Sequence, residues 1–288
     1  TEKSRYRRFG FDVEFWSGIF GTTNFIAMVN EFQNQWALIL GGSSGLGLAT
    51  AKKLAHHGMN LLIIHRNGRA EMEEINAEFE SLKVNNIMFK SFNIDVLNNL
   101  KSDECIKEIK SIIPENQKIH VLVHSIAKGA LKPLFGDQKL TMEDLKITID
   151  AMSFSLYAWA NRLIEGQLFA IDARIIAFTS EGSQKPMANY AAVSMAKASL
   201  EASIRSMAIE WAHLGIKTNA IQAGITDTKA LRMIPNVEKI IAFASKRNPQ
   251  KRLTTPEDVA NAAYLLCKKE AAWINGVVLK VDGGESLQ

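Results

Sequence analysis

The chain has 288 residues, 47% hydrophobic and 22% charged, with a formal net charge of +4. That length and apolar content suit one large α/β domain with a substantial core, and so small a charge excess argues against a nucleic-acid partner. Its two cysteines, Cys105 and Cys267, form neither a metal-ligand spacing nor a disulfide framework, so no metal is expected and the expected setting is reducing and cytoplasmic.

Residues 1–34 read as an N-terminal extension ahead of a domain at 35–288. Lys3, Arg5, Arg7 and Arg8 precede an apolar run from Phe15 to Val29. Asp12 and Glu14 interrupt the approach, Thr22, Thr23 and Asn24 break the run, and no small-residue cleavage site follows. The run is too short to span a bilayer, so no integral membrane segment is expected. Packing on the domain or on a neighbouring subunit is the preferred reading; a membrane-surface anchor or targeting remnant is the alternative.

Trp36 to Leu40 is a short buried strand, and a helix follows from Leu48 to His57. Between them runs Gly41-Gly42-Ser43-Ser44-Gly45-Leu46-Gly47. Glycines at this spacing allow a tight reversal and close backbone approach to a pyrophosphate. The helix start presents free N–H groups and the positive end of its dipole to that phosphate. The strand Asn60 to Ile64 ends in His65-Arg66-Asn67, where an NAD enzyme usually carries an acid for the ribose 2′-hydroxyl. This chain has none there, and Arg66 suits a 2′-phosphate, so NADPH is the expected cofactor, with NADH as the lesser alternative.

Alternation continues with a strand at Ile87 to Ser91, closed by Asn93 to Val96, in which Asp95 is an expected adenine contact. A helix over Leu97 to Ile113 leads to the strand Ile119 to Val123. His124 then reads as a packing histidine more readily than as a general base, and Ser125, Ile126 and Ala127 leave room for a cofactor. One long helix is predicted over Met142 to Glu165, then a fifth strand over Ala173 to Phe178 that reaches Ser180. Apolar strands alternating with helices predict a Rossmann-type, doubly wound parallel sheet.

The helix predicted from Tyr190 carries Lys197 seven positions on. At about 100° per residue, seven steps return the lysine nearly to the tyrosine's face. A lysine there is expected to lower the tyrosine's pKa, which suits a hydroxyl that donates a proton or holds an oxyanion. Taken alone, such a pair is more readily a surface helix with a packed tyrosine and a solvated lysine; the rest of the chain favours the site. After the strand Lys217 to Gln222 comes Gly224-Ile225-Thr226-Asp227-Thr228, then an apolar segment from Ala230 to Phe243 with loop chemistry at Pro235-Asn236. From Asp227 to Arg252, seven cations (Lys229, Arg232, Lys239, Lys246, Arg247, Lys251 and Arg252) face two acids, Asp227 and Glu238. Such a patch would steer an acidic carrier or a CoA phosphate, or be a solvated face.

The glycine turn, Asp95, the small-residue strand end and the tyrosine–lysine helix together resemble the short-chain dehydrogenase/reductase superfamily. Its commonest members carry Tyr-x3-Lys, but the fourth residue after Tyr190 is Ser194. Tyr-x6-Lys is the spacing of the enoyl-acyl carrier protein reductases of fatty acid synthesis. Leu122 to Ala127, Asp150 with Ser153 to Ser155, Met195 to Ala202 and Asn219 to Gly224 are similar to that branch. The likeness runs from Trp36 to Gly284. It implies an oxidoreductase that moves hydride from the nicotinamide to the β-carbon of a 2-enoyl thioester. It further implies Lys197 on the nicotinamide ribose, Tyr190 on the thioester oxygen, and Ile225, Thr226 and Thr228 at the carboxamide. Residues 230–243 would form a substrate lid, an acyl carrier protein or CoA would deliver the substrate, and the assembly would be a homotetramer or homodimer.

Three departures stand out. The glycine motif is the common superfamily form; Ser180, carried as a catalytic candidate, occupies the place of a second active-site aromatic; and Ile225 stands where proline is usual. The tail from Ala272 to Gly276 and from Val281 to Gly284 resembles dienoyl-CoA reductases as much as enoyl reductases. A dienoyl-CoA reductase, a 3-oxoacyl or carbonyl reductase, and a nonenzymatic NADP-binding protein are therefore the rival readings.

Overall fold

A computed structural model describes residues 30–234 and 237–288. Apart from residues 30–34, the expected N-terminal extension lies outside the described residues, as does the Pro235-Asn236 loop. Seven parallel strands form one sheet in the order β3-β2-β1-β4-β5-β6-β7. They are β1 (Trp36–Leu40), β2 (Asn60–His65), β3 (Phe89–Asn93), β4 (Ile119–His124), β5 (Phe169–Ser180), β6 (Lys217–Ala223) and β7 (Val278–Val281). The helices are α1 (Gly45–His56), α2 (Met72–Glu80), α3 (Asn99–Ile112), α4 (Met142–Ile149), α5 (Ser155–Glu165), α6 (Ala191–Glu210), α7 (Lys229–Arg232), α8 (Val237–Arg247) and α9 (Pro256–Cys267). This is the doubly wound Rossmann-type sheet expected from the alternation.

Apolar residues on both sides of each central strand explain why the strands read as continuous hydrophobic runs. Trp36, Leu38 and Leu40 pack with Ile109 of α3, Trp159 of α5 and Leu200 of α6 on one face. Ala37 and Ile39 pack with Leu54 of α1, Phe79 of α2 and Val259 of α9 on the other. The segment entering β1 is fastened to α9, where Glu31 accepts a hydrogen bond from Tyr264 and pairs with Lys268 at 2.7 Å. Several helix starts follow local chemistry. Asn98 caps α3, while Thr141 and Thr255 form capping boxes with Asp144 and Asp258 at α4 and α9.

Strand β5 begins at Phe169, four residues before the expected Ala173, and two further elements differ from expectation for a visible local reason. The third strand starts at Phe89 rather than Ile87. Asn85 and Asn86 both have φ of 55°, and the turn they make closes through the Ile87 amide onto the Val84 carbonyl at 3.2 Å. The predicted long helix over 142–165 is interrupted by a π-turn at Asp150–Phe154. There the Ser155 hydroxyl donates back to the Ala151 carbonyl at 2.8 Å and also meets His124 Nε2 at 2.8 Å. Among the described residues no helix is long and apolar enough to cross a membrane.

Candidate active site

The strand order reverses between β1 and β4, so their carboxyl ends open a crevice of the kind that receives ligands in wound sheets. The β1–α1 turn lies here. Gly41 has φ of 84°, and a side chain on it would stand 2.4 Å from the Ser125 carbonyl oxygen at the end of β4. A side chain on Gly47 would stand 2.2 Å from the Gly41 carbonyl. These glycines are required by backbone approach within the turn itself. Helix α1 begins at Gly45, earlier than the expected Leu48. The Ser44 side chain, exposed beside Ser43, makes no cap hydrogen bond, and no acid occupies the first turn. The positive end of α1 is thus left for an outside anion. Leu46 is half-buried, Ser125 and Ile126 stand against Gly41 in this turn, and Ala127 is exposed just beyond them. This combination fits the pyrophosphate of a dinucleotide.

Loop 224–228, following β6, comes across to this turn; Thr228 lies within 3.6 Å of where a Gly45 side chain would begin. Its polar groups have partners inside the protein. The Thr226 hydroxyl donates to the Gly224 carbonyl at 2.9 Å, and the Thr228 hydroxyl accepts from Leu231 N at the start of α7. The Ile225 amide donates to Glu285 Oε2 at 3.2 Å. Glu285 was not visible as a site residue in the sequence, because nothing in a tail acid signals which loop it will reach.

Tyr190 caps α6 rather than lying within it, and Lys197 follows two turns into the helix. Lys197 Nζ donates to the Phe178 carbonyl at 2.7 Å, turned toward β5. Burial pulls its pKa down to about 8, opposed by the charge of Glu201 one turn on. Glu201 is itself buried and accepts from the Thr179 hydroxyl at 2.6 Å. The expected lowering of the tyrosine pKa does not occur. Burial raises it, the Ser180 hydroxyl works against that rise, and Lys197 takes no part. Ser180 Oγ is buried and, although it faces the phenol, makes no well-aligned hydrogen bond. Gly182 was missed in the sequence: a side chain there would stand 2.6 Å from Tyr190 Cε1, so this glycine makes room for the ring.

His124 is fully buried, and burial lowers its pKa to about 3. It is a packing residue bonded to Ser155, as the preferred reading had it. The cationic surplus of 227–252 is largely spent within the protein. Lys229 pairs with Glu74, Arg232 with Asp227, Arg247 with Glu181 and Arg252 with Asp258. Among the described residues no three His, Cys, Asp or Glu side chains gather to hold a metal.

Arg66 and Asp95 meet at the far end of the crevice, Nη1 to Oδ2 at 2.6 Å. Asp95 is held below its usual pKa despite partial burial, by the Leu97 amide and by Arg66. Its carboxylate already supplies the negative charge that a 2′-phosphate would bring to Arg66, and would repel a second anion.

The family profile described as enoyl-(acyl carrier protein) reductase matches residues 41–286. The chain is 31% identical over 256 residues to the enoyl-acyl-carrier-protein reductase (NADH) FabI of Escherichia coli K12, covering 87% of this chain and 93% of that one. It is 30% identical over 256 residues to a probable 2,4-dienoyl-CoA reductase of Bacillus subtilis, covering 87% and 96%. The solved enoyl-acyl-carrier-protein reductase (NADH) of Aquifex aeolicus superposes with a TM-score of 0.75 at 27% identity, over 89% of this chain and 98% of that one. The FabI relatives carry NADH in their names. With Arg66 already engaged by Asp95, this overturns the expected preference for NADPH. The chain belongs to the enoyl-(acyl carrier protein) reductase family of the short-chain dehydrogenase/reductase superfamily, oxidoreductases acting on a carbon–carbon double bond.

Proposed function

We propose that this chain reduces 2-enoyl thioesters on acyl carrier protein with NADH. The observation that carries the reading is the placement of Tyr190, facing the Ser180 hydroxyl, at the start of α6 with Lys197 two turns along it, near the ends of the strands that form the crevice. The glycine turn Gly41–Gly47 and the start of α1 would hold the pyrophosphate, with Ser43 and Ser44 as further donors. Asp95 and Arg66 would flank the adenosine, and Ser125, Ile126 and Ala127 would wall the middle of the cofactor. Lys197 would reach the nicotinamide ribose, and loop 224–228 would face the carboxamide. When bound, NADH supplies a hydride to the β-carbon of the substrate. Tyr190, kept a phenol by its raised pKa, is suited to donate a hydrogen bond to the thioester oxygen as negative charge develops there. A reducing, cytoplasmic setting suits the free cysteines.

Reduction of a 2,4-dienoyl-CoA is the second reading, favoured by the Bacillus subtilis relative and by the tail. NADH oxidation with crotonyl-acyl carrier protein, crotonyl-CoA, a dienoyl-CoA and a ketoacyl thioester separates the readings. Preferred turnover of the crotonyl-acyl carrier protein is the expected result. Efficient ketoacyl reduction with inert enoyl thioesters would replace the proposal with a carbonyl reductase.

A further inference from the structure

Three elements that are distant in sequence converge on a buried charge cluster behind loop 224–228. The carboxylate of Glu285, from the C-terminal segment, is 3% exposed. One of its oxygens accepts the Ile225 amide at 3.2 Å, and the other lies 3.8 Å from Arg247 Nη2 at the end of α8. Arg247 also donates through Nε to the Glu285 carbonyl at 2.8 Å and through Nη2 to Glu181 at 2.6 Å. Glu181 follows Ser180 directly, and Lys185 pairs with it at 2.6 Å. Asp282 fastens the segment by accepting from the amides of Gly284 at 2.9 Å and Ser286 at 3.1 Å. The Gly224 amide completes the junction by donating to the Val281 carbonyl at 3.1 Å.

A carboxylate is not buried beside two other acids without a partner that repays the desolvation. Burial, with Glu181 and Asp282 nearby, raises the Glu285 pKa, while the Ile225 amide and Arg247 work against the rise. The amide matters because of where Ile225 stands. The resemblance puts proline at this position. Proline fixes φ and offers no N–H, whereas isoleucine leaves the loop freer and gives it a donor that must be satisfied. Glu285 satisfies that donor.

We propose that Glu285 is a positioning residue for the cofactor: its hydrogen bond to the Ile225 amide, braced by Arg247, holds loop 224–228 in the geometry that proline would otherwise impose. The inference rests on the reading above that this loop faces the nicotinamide.

The test compares Glu285→Gln with Glu285→Met, which are close to glutamate in size but differ in whether they can accept the amide. Steady-state kinetics with NADH and crotonyl-acyl carrier protein are run beside direct NADH titration without substrate. Glu285→Met should raise KM and Kd for NADH about tenfold, the worth of a hydrogen bond to a charged group. Its kcat at saturating NADH should stay within about threefold of wild type, and Glu285→Gln should stay within the same factor on all three quantities. Adding Ile225→Pro to Glu285→Met removes the orphaned donor and restores a fixed φ, so NADH affinity should return. If Glu285→Met does not fold, the double variant decides: it must fold and bind NADH within about threefold of wild type. Unchanged NADH affinity in Glu285→Met, a loss confined to kcat, or failure of the proline to rescue would each overturn the inference. If wild type binds NADH but leaves enoyl thioesters untouched, the proposed reaction fails, and the NADH titrations still judge Glu285.

Discussion

Burying Lys197 works against the fold, and that points to its use. Its pKa falls from 10.5 to about 8. Between those values the folded chain binds fewer protons than the unfolded chain, so this group's contribution to stability rises with pH across that window. Below about pH 8 both states are charged, and the full burial penalty stands. The charge then available in the crevice is lost as pH rises through about 8, so KM for NADH should climb above that pH in steady-state assays; a flat profile to pH 9.5 would separate Lys197 from cofactor binding. Lys197→Ala should cost at least as much turnover as Tyr190→Phe, since it also lets the reacting atoms drift. Tyr190→Phe should keep its fold and its NADH affinity while kcat falls by roughly 10- to 100-fold, at or below the usual worth of an oxyanion donor. Arg66 and Asp95 give a second residue-level expectation. Wild type should favour NADH, and Asp95→Asn, by freeing the guanidinium and removing a repelling charge, should raise the NADPH-to-NADH ratio of kcat/KM several-fold. An unchanged ratio would mean that this ion pair does not face the ribose. The Tyr190–Lys197 pair was visible in the spacing, but the direction of the lysine was not. Helical periodicity fixes a face, whereas the choice of the Phe178 carbonyl depends on β5, which no local pattern couples to α6.

Elements were legible where a strong period met a clear terminator. Strands β1, β2, β4 and β6 fell within a residue of expectation because both their faces are buried and their ends are abrupt. The π-turn at Asp150–Phe154 was not legible, and the residue that follows it, Ser155, meets His124 across 31 residues, a contact no local pattern announces. That contact makes its own prediction. His124 is neutral in the folded chain, with a pKa near 3 set by burial, whereas an exposed histidine titrates near pH 6.5. The unfolded chain therefore takes up a proton that the folded chain refuses. Stability from this group is present above about pH 6.5 and lost as pH falls toward 3, at about 1.4 kcal/mol per pH unit. His57, His65 and His120 are lowered in the same direction by burial, so they add to the slope. His124→Gln, which keeps a polar partner for Ser155 and cannot titrate, should flatten the fall in urea-unfolding free energy between pH 7 and 5 by about one proton. An unaltered slope would place the acid sensitivity in the other histidines.

At the scale of the molecule, strand–helix alternation settled the sheet. It could not settle surface charge, because three of the seven cations in 227–252 find acids contributed by other turns and helices. Nor could it show which apolar residues stay outside. Two of the exposed apolar groups on the described surface hold aromatic side chains beside a sheet edge or along a helix pair. One lies along the edge strand β7 and the residues before it, where Val277, Leu279, Ile274 and Trp273 are all open, Trp273 by 99%. The other lies on α5, α6 and the turn before them, where Phe154, Tyr157, Met195 and Ile209 are exposed and Tyr157 stacks on Trp211 with ring centroids 6.1 Å apart. An open edge strand beside exposed aromatics is a liability that proteins cover. Two-fold contacts are isologous, so each patch can meet its own copy, and two different two-fold faces close into a tetramer. Sedimentation equilibrium at micromolar concentration is therefore expected to give the mass of four chains. Trp273→Glu should break only the first contact and Tyr157→Glu only the second, each leaving a dimer, and the two together should leave a monomer. A wild type that sediments as one chain throughout would show that neither patch is an interface between copies.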